Sequence, residues 1–484
     1  MDFVKPIMKT FVYPMMRLRR GNRTLQYLKE LKDSEKAPPS QLAGLQRDLL
    51  EKLLDTCVNR TSAYRLPEGT DDGSLPKRWK SIAPLSREVF RAHPEKYLAR
   101  GVKREHLIPA SSGGSTDAPL KFVLDKYTVE HYEAARWRGL SWWGITPTDR
   151  SVMLWSSPVE LDAAAGKYHR RREKWLKNRV VIPARALNEA SLPLHIKFLN
   201  RYRPVYFYGF PSALYLFATL MEAAGAQLSF QPKVVVSTAE MLFDFQRETI
   251  SRVLGCPVAN EYCTKEAGLL AFECPRGGLH ISCENVLLEA LDPLAFKPMP
   301  LGEQGVLAAT DLNNLSMPRP RFLVGDIISL SSAACPCGRA LPLLGSIEGR
   351  LGDMLVARDG SFVHGGEMVR LSRATPSVER FQICQHTPEK ASLYIVPSGV
   401  ANERELDNFT ENLRSFLRGV DITPRIVADI PPMASGKHRY AVREFPLSAV
   451  RNISRPPRDD EETDGMEETD EPDKRDKTDE EDMP

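Results

Sequence analysis

"PSALYLFATLMEAAG" (211–225), "KVVVST" (233–238) and "FDFQRETISRVLG" (243–255) follow one another closely, and their order decides the fold class. Pro211 suits the first turn of a helix, where its fixed φ is already helical and no amide hydrogen is missed. Gly225 ends that helix, a short β-branched run then reads as a strand, and a second amphipathic helix closes the unit. Further strands are predicted at "NVLLEAL" (285–291), "GVLAATDL" (305–312) and "RFLVGD" (321–326). Strands alternating with helices predict an α/β architecture. Upstream, Leu42, Leu45, Leu49, Leu50, Leu53 and Leu54 recur at helical spacing over Ser40 to Arg60, and "DKYTVEHYEAARWRGLSWWG" (125–144) predicts a second helix. After about Gly352 the pattern restarts with one helix, "NERELDNFTENLRSFLRGV" (402–420), and one strand, "TPRIVADI" (423–430). The expected organisation is a large α/β domain over 1–351, a small α+β C-terminal domain over 352–455 and a disordered acidic tail over 456–484.

A chain of 484 residues is longer than one hydrophobic core usually grows. Its 42% hydrophobic and 27% charged residues are ordinary for a soluble globular protein, and no run of about 18 apolar residues predicts a membrane span. The first residues, "MDFVKPIMKTFVYPMMRLRRGNR", are too broken in apolar character for a secretory signal, but their basic residues suit contact with a membrane surface. The net charge of +3 conceals an asymmetry: residues 459–484 hold 15 acidic and 3 basic groups, which leaves +15 on the preceding residues. Such a tail cannot bury a core. A basic body suits anionic ligands such as nucleotides, and no aromatic-basic RNA motif, helix-turn-helix or paired finger points to nucleic acid. Eight cysteines spread through a long chain indicate a reducing, cytoplasmic compartment, with any cluster suspected of holding metal.

Four loops and one turn carry chemistry. "PASSGGSTDAPLKF" (109–122) is rich in glycine, hydroxyls and backbone N–H groups, which can wrap phosphate oxygens, but it lacks the Gly-Lys-Ser/Thr ending of a P-loop. In "NEYCTKEAG" (260–268) Glu266 can hold a magnesium ion beside phosphates. Asp326, at the end of the hydrophobic strand "RFLVGDI", can accept hydrogen bonds from ribose hydroxyls. Arg350 precedes a second Gly-Asp step in "IEGRLGDMLVARDG", and "PPMASGKHRY" (431–440) presents Lys437 on a loose turn.

The cysteines give a separate signal. Cys274 and His280 of "ECPRGGLH", with Cys335 and Cys337 of "CPCG", are a suitable tetrahedral donor set for structural Zn2+, the alternative being four unconnected side chains. A set so rich in thiolates leaves no open position for water, which argues against a zinc hydrolase. Cys57, Cys256, Cys263, Cys283 and Cys384 read as small buried hydrophobes, with Cys283 a substitute ligand. His169 lies in a basic run suited to the phosphates of coenzyme A, although a solvated face is the simpler expectation, and Trp137, Trp142 and Trp143 are candidates for an acyl pocket or for core packing.

In this order the motifs resemble the adenylate-forming superfamily, and within it the phenylacetate–CoA ligase and capsule polysaccharide biosynthesis family. The resemblance runs from about Tyr13 to Phe445 and is strongest at "SSGGSTDAPL", "YGFPSAL", "STAEML", "NEYCTKEAG", "GEQGVLAATDLNNLSMPRPRFLVGD", "CPCGRALPLL" and "IEGRLGD". It implies that Ser112, Gly113, Gly114, Ser115 and Thr116 grip phosphate. It further implies that Tyr262 lies by the adenine, Glu266 holds Mg2+, Asp326 binds ribose and Arg350 contacts the nucleotide. Lys437 would enter from the small domain during adenylation.

The implied activity is ATP-dependent, AMP-forming activation of an aromatic or fatty carboxylic acid, then transfer to coenzyme A or another acceptor in cell-envelope or polysaccharide assembly. Relatives of this kind are commonly dimers. A nucleotide-binding member without catalysis, acting as an assembly or regulatory partner, is the alternative. Three positions depart from the family pattern: Gly352 stands where a hinge aspartate is expected, Asp117 where glycine is common, and Cys263 replaces the glycine after Tyr262.

Overall fold

The computed structural model describes residues 15, 21–65, 74–112, 119–155, 178–363, 368–369, 371–372, 374–399, 401–431, 439–446 and 449. Gly113, Gly114, Ser115, Thr116, Asp117, His169 and Lys437 lie outside them, as do the first fourteen residues and the acidic tail.

Among the described residues, the α-helices α1 (Thr24–Ser34), α2 (Pro39–Arg60), α3 (Leu75–Ser81) and α4 (Arg87–Ala92) precede the first strand. The leucine-rich run does form a helix, starting on Pro39 at the first turn and burying Leu42, Leu50, Leu53 and Leu54, while Leu45 stays exposed. A hairpin of β1 (Leu107–Ser111) and β2 (Lys121–Asp125) leads into α5 (Lys126–Trp142), whose cap is Asp125 accepting from the Thr128 amide at 2.8 Å.

The main sheet has two characters. Its parallel part contains β3 (Ser151–Trp155), β4 (Arg179–Pro183), β5 (Tyr206–Gly209), β6 (Val234–Thr238) and β7 (Val258–Thr264), with α6 (Leu192–Tyr202), α7 (Pro211–Ala223) and α8 (Asp244–Leu254) in the connections. The β-branched run of β6 is buried at every position, as a central parallel strand covered on both faces must be. Gly255 closes α8 at φ +65°, the left-handed turn that glycine adopts without strain.

Antiparallel strands extend the same sheet: β8 (Gly268–Glu273), β9 (Leu279–Ile281), β10 (Val286–Leu291), β11 (Gln304–Asp311), β12 (Phe322–Ser331) and β13 (Leu343–Arg350). The strand order is β10-β11-β12-β13-β9-β8-β7-β6-β5-β3-β4. Burial separates its two faces. Val152, Leu154, Phe207 and Val235 pack under α7, whereas Tyr206, Tyr208, Val234, Val236 and Ala259 pack with Ala134 and Ala135 of α5.

Beyond a two-stranded ribbon of β14 (Leu355–Val356) and β15 (Phe362–Val363), a second sheet has the order β18-β17-β16-β19. It is built from β16 (Val378–Thr387), β17 (Lys390–Pro397), β18 (Asp421–Ile426) and β19 (Ala441–Arg443), with α9 (Glu403–Phe416) between β17 and β18. Phe381, Ile383, Leu393, Phe409 and Leu413 give this sheet a core of its own. The strand expected at 423–430 starts two residues earlier and stops at Ile426, and the helix expected over 402–420 ends at Phe416. The antiparallel hairpin of β16 and β17 has no counterpart among the strands predicted from sequence. Among the described residues no helix is long and apolar enough to cross a membrane.

Candidate nucleotide site and metal centre

The parallel and antiparallel parts of the sheet meet at Tyr262. On β7 this residue sits two places before the strand ends, and its hydroxyl donates to Asp326 Oδ2 at 2.6 Å. Asp326 on β12 lies directly opposite Arg350 on β13, with Arg350 Nε 3.4 Å from Asp326 Oδ1. Three strands therefore bring a phenol, a carboxylate and a guanidinium together. Burial, then the adjacent carboxylate, push the Tyr262 phenol well above its ordinary pKa, so it remains a donor.

Asp326 was expected at the end of its strand and instead lies inside it, because β12 continues to Ser331. The register against β11 shifts between Val306 and Ala308, and Gly325 opposite this bulge takes φ +88°. A bulge re-aims the following side chain without ending the ladder, so the Gly-Asp step makes a local twist instead of a turn.

Glu266 occupies the tight turn from β7 to β8. Its carboxylate is 4% exposed and lies 2.9 Å from Arg87 Nη2, while its main-chain carbonyl accepts from Arg319 Nη2 at 2.7 Å. The turn also needs Gly268 at φ +73°, since a Cβ there would meet the Tyr132 ring at 2.3 Å. Tyr132 in turn donates to Asp311, whose carboxyl is pushed up to about 6 by burial, against the opposing pull of that hydrogen bond and of Arg319. A carboxylate at Glu266, buried and paired, is not a solvated loop residue.

Ser112 is buried where the glycine-rich loop leaves β1. Its amide donates to the Leu120 carbonyl at 2.9 Å and its hydroxyl accepts from the Leu120 amide at 2.8 Å, so the pair pins the base of the loop.

Cys274, His280, Cys335 and Cys337 converge, with their ligand atoms all within 4.8 Å of one another. Cys274 Sγ is 3.6 Å from Cys335 Sγ, and His280 Nε2 is 3.2 Å from Cys337 Sγ. His280 Nδ1 lies 3.3 Å from the Leu341 carbonyl, which aims Nε2 at the sulfurs. Gly278 allows the close approach, because a Cβ there would lie 2.5 Å from Cys335 Sγ. Three sulfurs and one imidazole, mostly buried and convergent, suit a structural zinc ion in donor chemistry and count. Cys283 stands outside the group, near Glu284, and Cys57, Cys256 and Cys384 are buried as small hydrophobes.

The tryptophans serve this centre and the core. Trp142 packs edge-on to His280 at 5.3 Å and donates to Glu35 at 2.8 Å, while Trp143 donates to the Glu273 carbonyl. Arg87 was missed from sequence. It reaches Glu266 from the first position of α4, across 179 residues of chain, and nothing local marks it.

Residues 355–444 match the CapK C-terminal domain family. Over 374 residues the chain is 23% identical to protein CapK of Staphylococcus aureus, spanning 75% of this chain and 80% of that one. Over 129 residues it is 36% identical to phenylacetate-coenzyme A ligase of Thermus thermophilus, spanning 27% and 26% of the two chains. Among solved structures, 2-hydroxyisobutyryl-CoA ligase in the postadenylation state with 2-HIB-AMP superposes with a TM-score of 0.65 at 18% identity, over 85% of this chain and 91% of that one. Anthranilate CoA ligase with anthranoyl-AMP superposes with a TM-score of 0.50 at 17% identity, over 70% and 67%. The chain is a homologue of CapK and of phenylacetate–coenzyme A ligase, with the large α/β domain and smaller C-terminal domain of the adenylate-forming ligases.

Proposed function

We propose that this protein activates a carboxylic acid with ATP and passes the acyl group to coenzyme A. A carboxylate oxygen attacks the α-phosphorus, the bond to pyrophosphate breaks, and an acyl-adenylate forms. The thiol sulfur then attacks the acyl carbon and AMP leaves. The observation that carries this reading is the convergence of Tyr262, Asp326 and Arg350 from three strands, on the fold of adenylate-forming ligases.

Under this reading Asp326 accepts from the ribose hydroxyls, Arg350 steadies that carboxylate and contacts the nucleotide, and Tyr262 borders the adenine. Ser112, Gly113, Gly114, Ser115 and Thr116 would grip the phosphates. Glu266 would hold Mg2+, which supplies charge neutralisation at the phosphates when bound. Lys437 meets the reacting oxygens in the first step only, and the unit after residue 351 rotates before the second. Cys274, His280, Cys335 and Cys337 would hold a structural Zn2+ that closes the β8–β9 turn onto the 335–338 knuckle.

The reading extends to a cytoplasmic enzyme of cell-envelope or polysaccharide assembly, working as a homodimer and touching the membrane through its basic N-terminus. A second reading, nucleotide binding without catalysis, is supported by the guanidinium of Arg87 already paired with Glu266 and by Gly352 at the hinge position. Pyrophosphate release with ATP, magnesium and a panel of aryl and fatty acids, with hydroxylamine as acceptor, separates the two. Acid-dependent release that vanishes in Lys437→Ala supports the enzyme. Nucleotide binding with no release under any acid supports the second reading.

A further inference from the structure

A second polar cluster lies at the carboxyl ends of the parallel strands, on the face covered by α5. Glu261 of β7 is 1% exposed. Its Oε1 accepts from Tyr208 of β5 at 2.7 Å and from Thr238 of β6 at 3.1 Å, and its Oε2 accepts from Arg136 Nε of α5 at 3.0 Å. Trp155, the last residue of β3, lies parallel to the Tyr208 ring with centroids 6.3 Å apart. Cys263, two residues beyond Glu261 and so on the same face, places its sulfur 3.4 Å from Thr238.

Burying a carboxylate is costly unless it is paired and hydrogen-bonded, and three donors from three elements satisfy Glu261. Arg136 is not satisfied in the same way. Its side chain is 41% exposed, its guanidinium stands over the Tyr208 ring at 5.8 Å, and among the described residues only its Nε is engaged in a hydrogen bond. Glu261 and Tyr208 thus fix the guanidinium plane and leave both Nη groups as oriented donors.

The location matters. In open α/β sheets ligands bind outside the carboxyl ends of the strands, and Glu261 precedes Tyr262 on β7, so the same strand end presents this cluster on the face under α5 and the nucleotide cluster on the opposite face. A hydrocarbon chain laid here would strip water from the Nη groups and give them no acceptor, whereas an oxygen substituent would accept from them.

We propose that Arg136, held by Glu261 and Tyr208, is the selectivity element of the acid subsite, and that the acid carries an oxygen acceptor on its chain: a hydroxyl, a keto oxygen or a second carboxylate. The proposal rests on the adenylation reading for its reaction but not for its binding.

The test compares matched pairs in the full-length protein: phenylacetate with 4-hydroxyphenylacetate, and hexanoate with adipate and with 6-hydroxyhexanoate. Pyrophosphate release gives kcat and KM, and ligand-induced shifts of the melting temperature in the presence of ATP give binding. The oxygenated member of at least one pair is expected to be favoured by roughly 10- to 100-fold in kcat/KM. Arg136→Lys, which keeps the charge opposite Glu261 but loses the fork of donors, is expected to raise KM for that acid and shrink the ratio, with AMP affinity unchanged. Arg136→Met is the stronger variant where it folds. Equal or better use of the hydrocarbon members, or a ratio unmoved in Arg136→Lys, overturns the proposal. If no acid releases pyrophosphate but oxygenated acids still protect the parent more than Arg136→Lys, the subsite stands and the adenylation reading falls. If neither release nor protection is seen, the subsite falls too.

Discussion

Arg87 Nη2 lies 2.9 Å from Glu266 Oε1, and the two side chains are 18% and 4% exposed. Breaking such a pair leaves a buried carboxylate without its counter-charge. Arg87→Gln is therefore expected to lower stability by about 2–3 kcal/mol, somewhat less than for a wholly buried pair. A divalent cation at Glu266 would replace the missing charge, so magnesium with ATP should raise the melting temperature of the variant more than that of the parent. Equal gains in calorimetric melts would mean that Glu266 does not hold the metal.

Asp311 offers a pH test. Its carboxyl is pushed from the ordinary 3.8 up to about 6, chiefly by burial, so the folded state holds its proton more tightly than the unfolded state. Its contribution is fully present below about pH 3.8 and is lost as pH rises through about 6, a swing on the order of 3 kcal/mol. Asp311→Asn keeps the shape without the charge. The stability of the variant relative to the parent should improve between pH 4.5 and pH 8 in denaturant titrations, and a constant difference would contradict this sign.

The Cys274, His280, Cys335 and Cys337 group should carry about one zinc per chain by elemental analysis. Removing it with a chelator should lower the melting temperature by several degrees and change the fluorescence of Trp142, whose ring meets His280. Gly278→Ala, which drives a methyl group into Cys335, should lower zinc content without touching a ligand. A metal content near zero in protein purified without chelator would remove the structural-zinc reading.

Asp326→Asn should weaken AMP by about 10-fold or more in titration calorimetry, since a charged acceptor is worth more to a ribose hydroxyl than a neutral one. Tyr262→Phe removes only the donor to Asp326 and should cost less. Equal, negligible effects from both would move the nucleotide away from this cluster.

Much of this arrangement was readable from short motifs, because each packs its chemistry into a few neighbouring residues. "RFLVGD" and "CPCG" announce Asp326 and the paired sulfurs without any fold in hand. What stayed hidden depends on distant partners. Arg87 and Arg136 stand on helices where arginine usually means a wet surface, and their carboxylates lie 179 and 125 residues away. Asp326 was misplaced to a strand end because a bulge at Gly325 looks, in sequence, like a turn. The β16–β17 hairpin alternates in character, "VERFQICQ" and "KASLYIVP", yet it lies among the polar segments of the smaller sheet, which obscure the alternation.

The scatter of these partners along the chain also orders their appearance during synthesis. Once β7 has left the ribosome, every group of the Arg136–Glu261 cluster has been made. Tyr262 emerges at the same moment but must wait for Asp326 and then Arg350, and Cys274 and His280 must wait for Cys335 and Cys337. Since domains form from the N-terminal side during synthesis, a nascent chain stalled between 280 and 335 would hold every group of the Arg136–Glu261 cluster beside an open antiparallel edge, with Cys274 and His280 still unmatched. That interval is where a chaperone has most to cover.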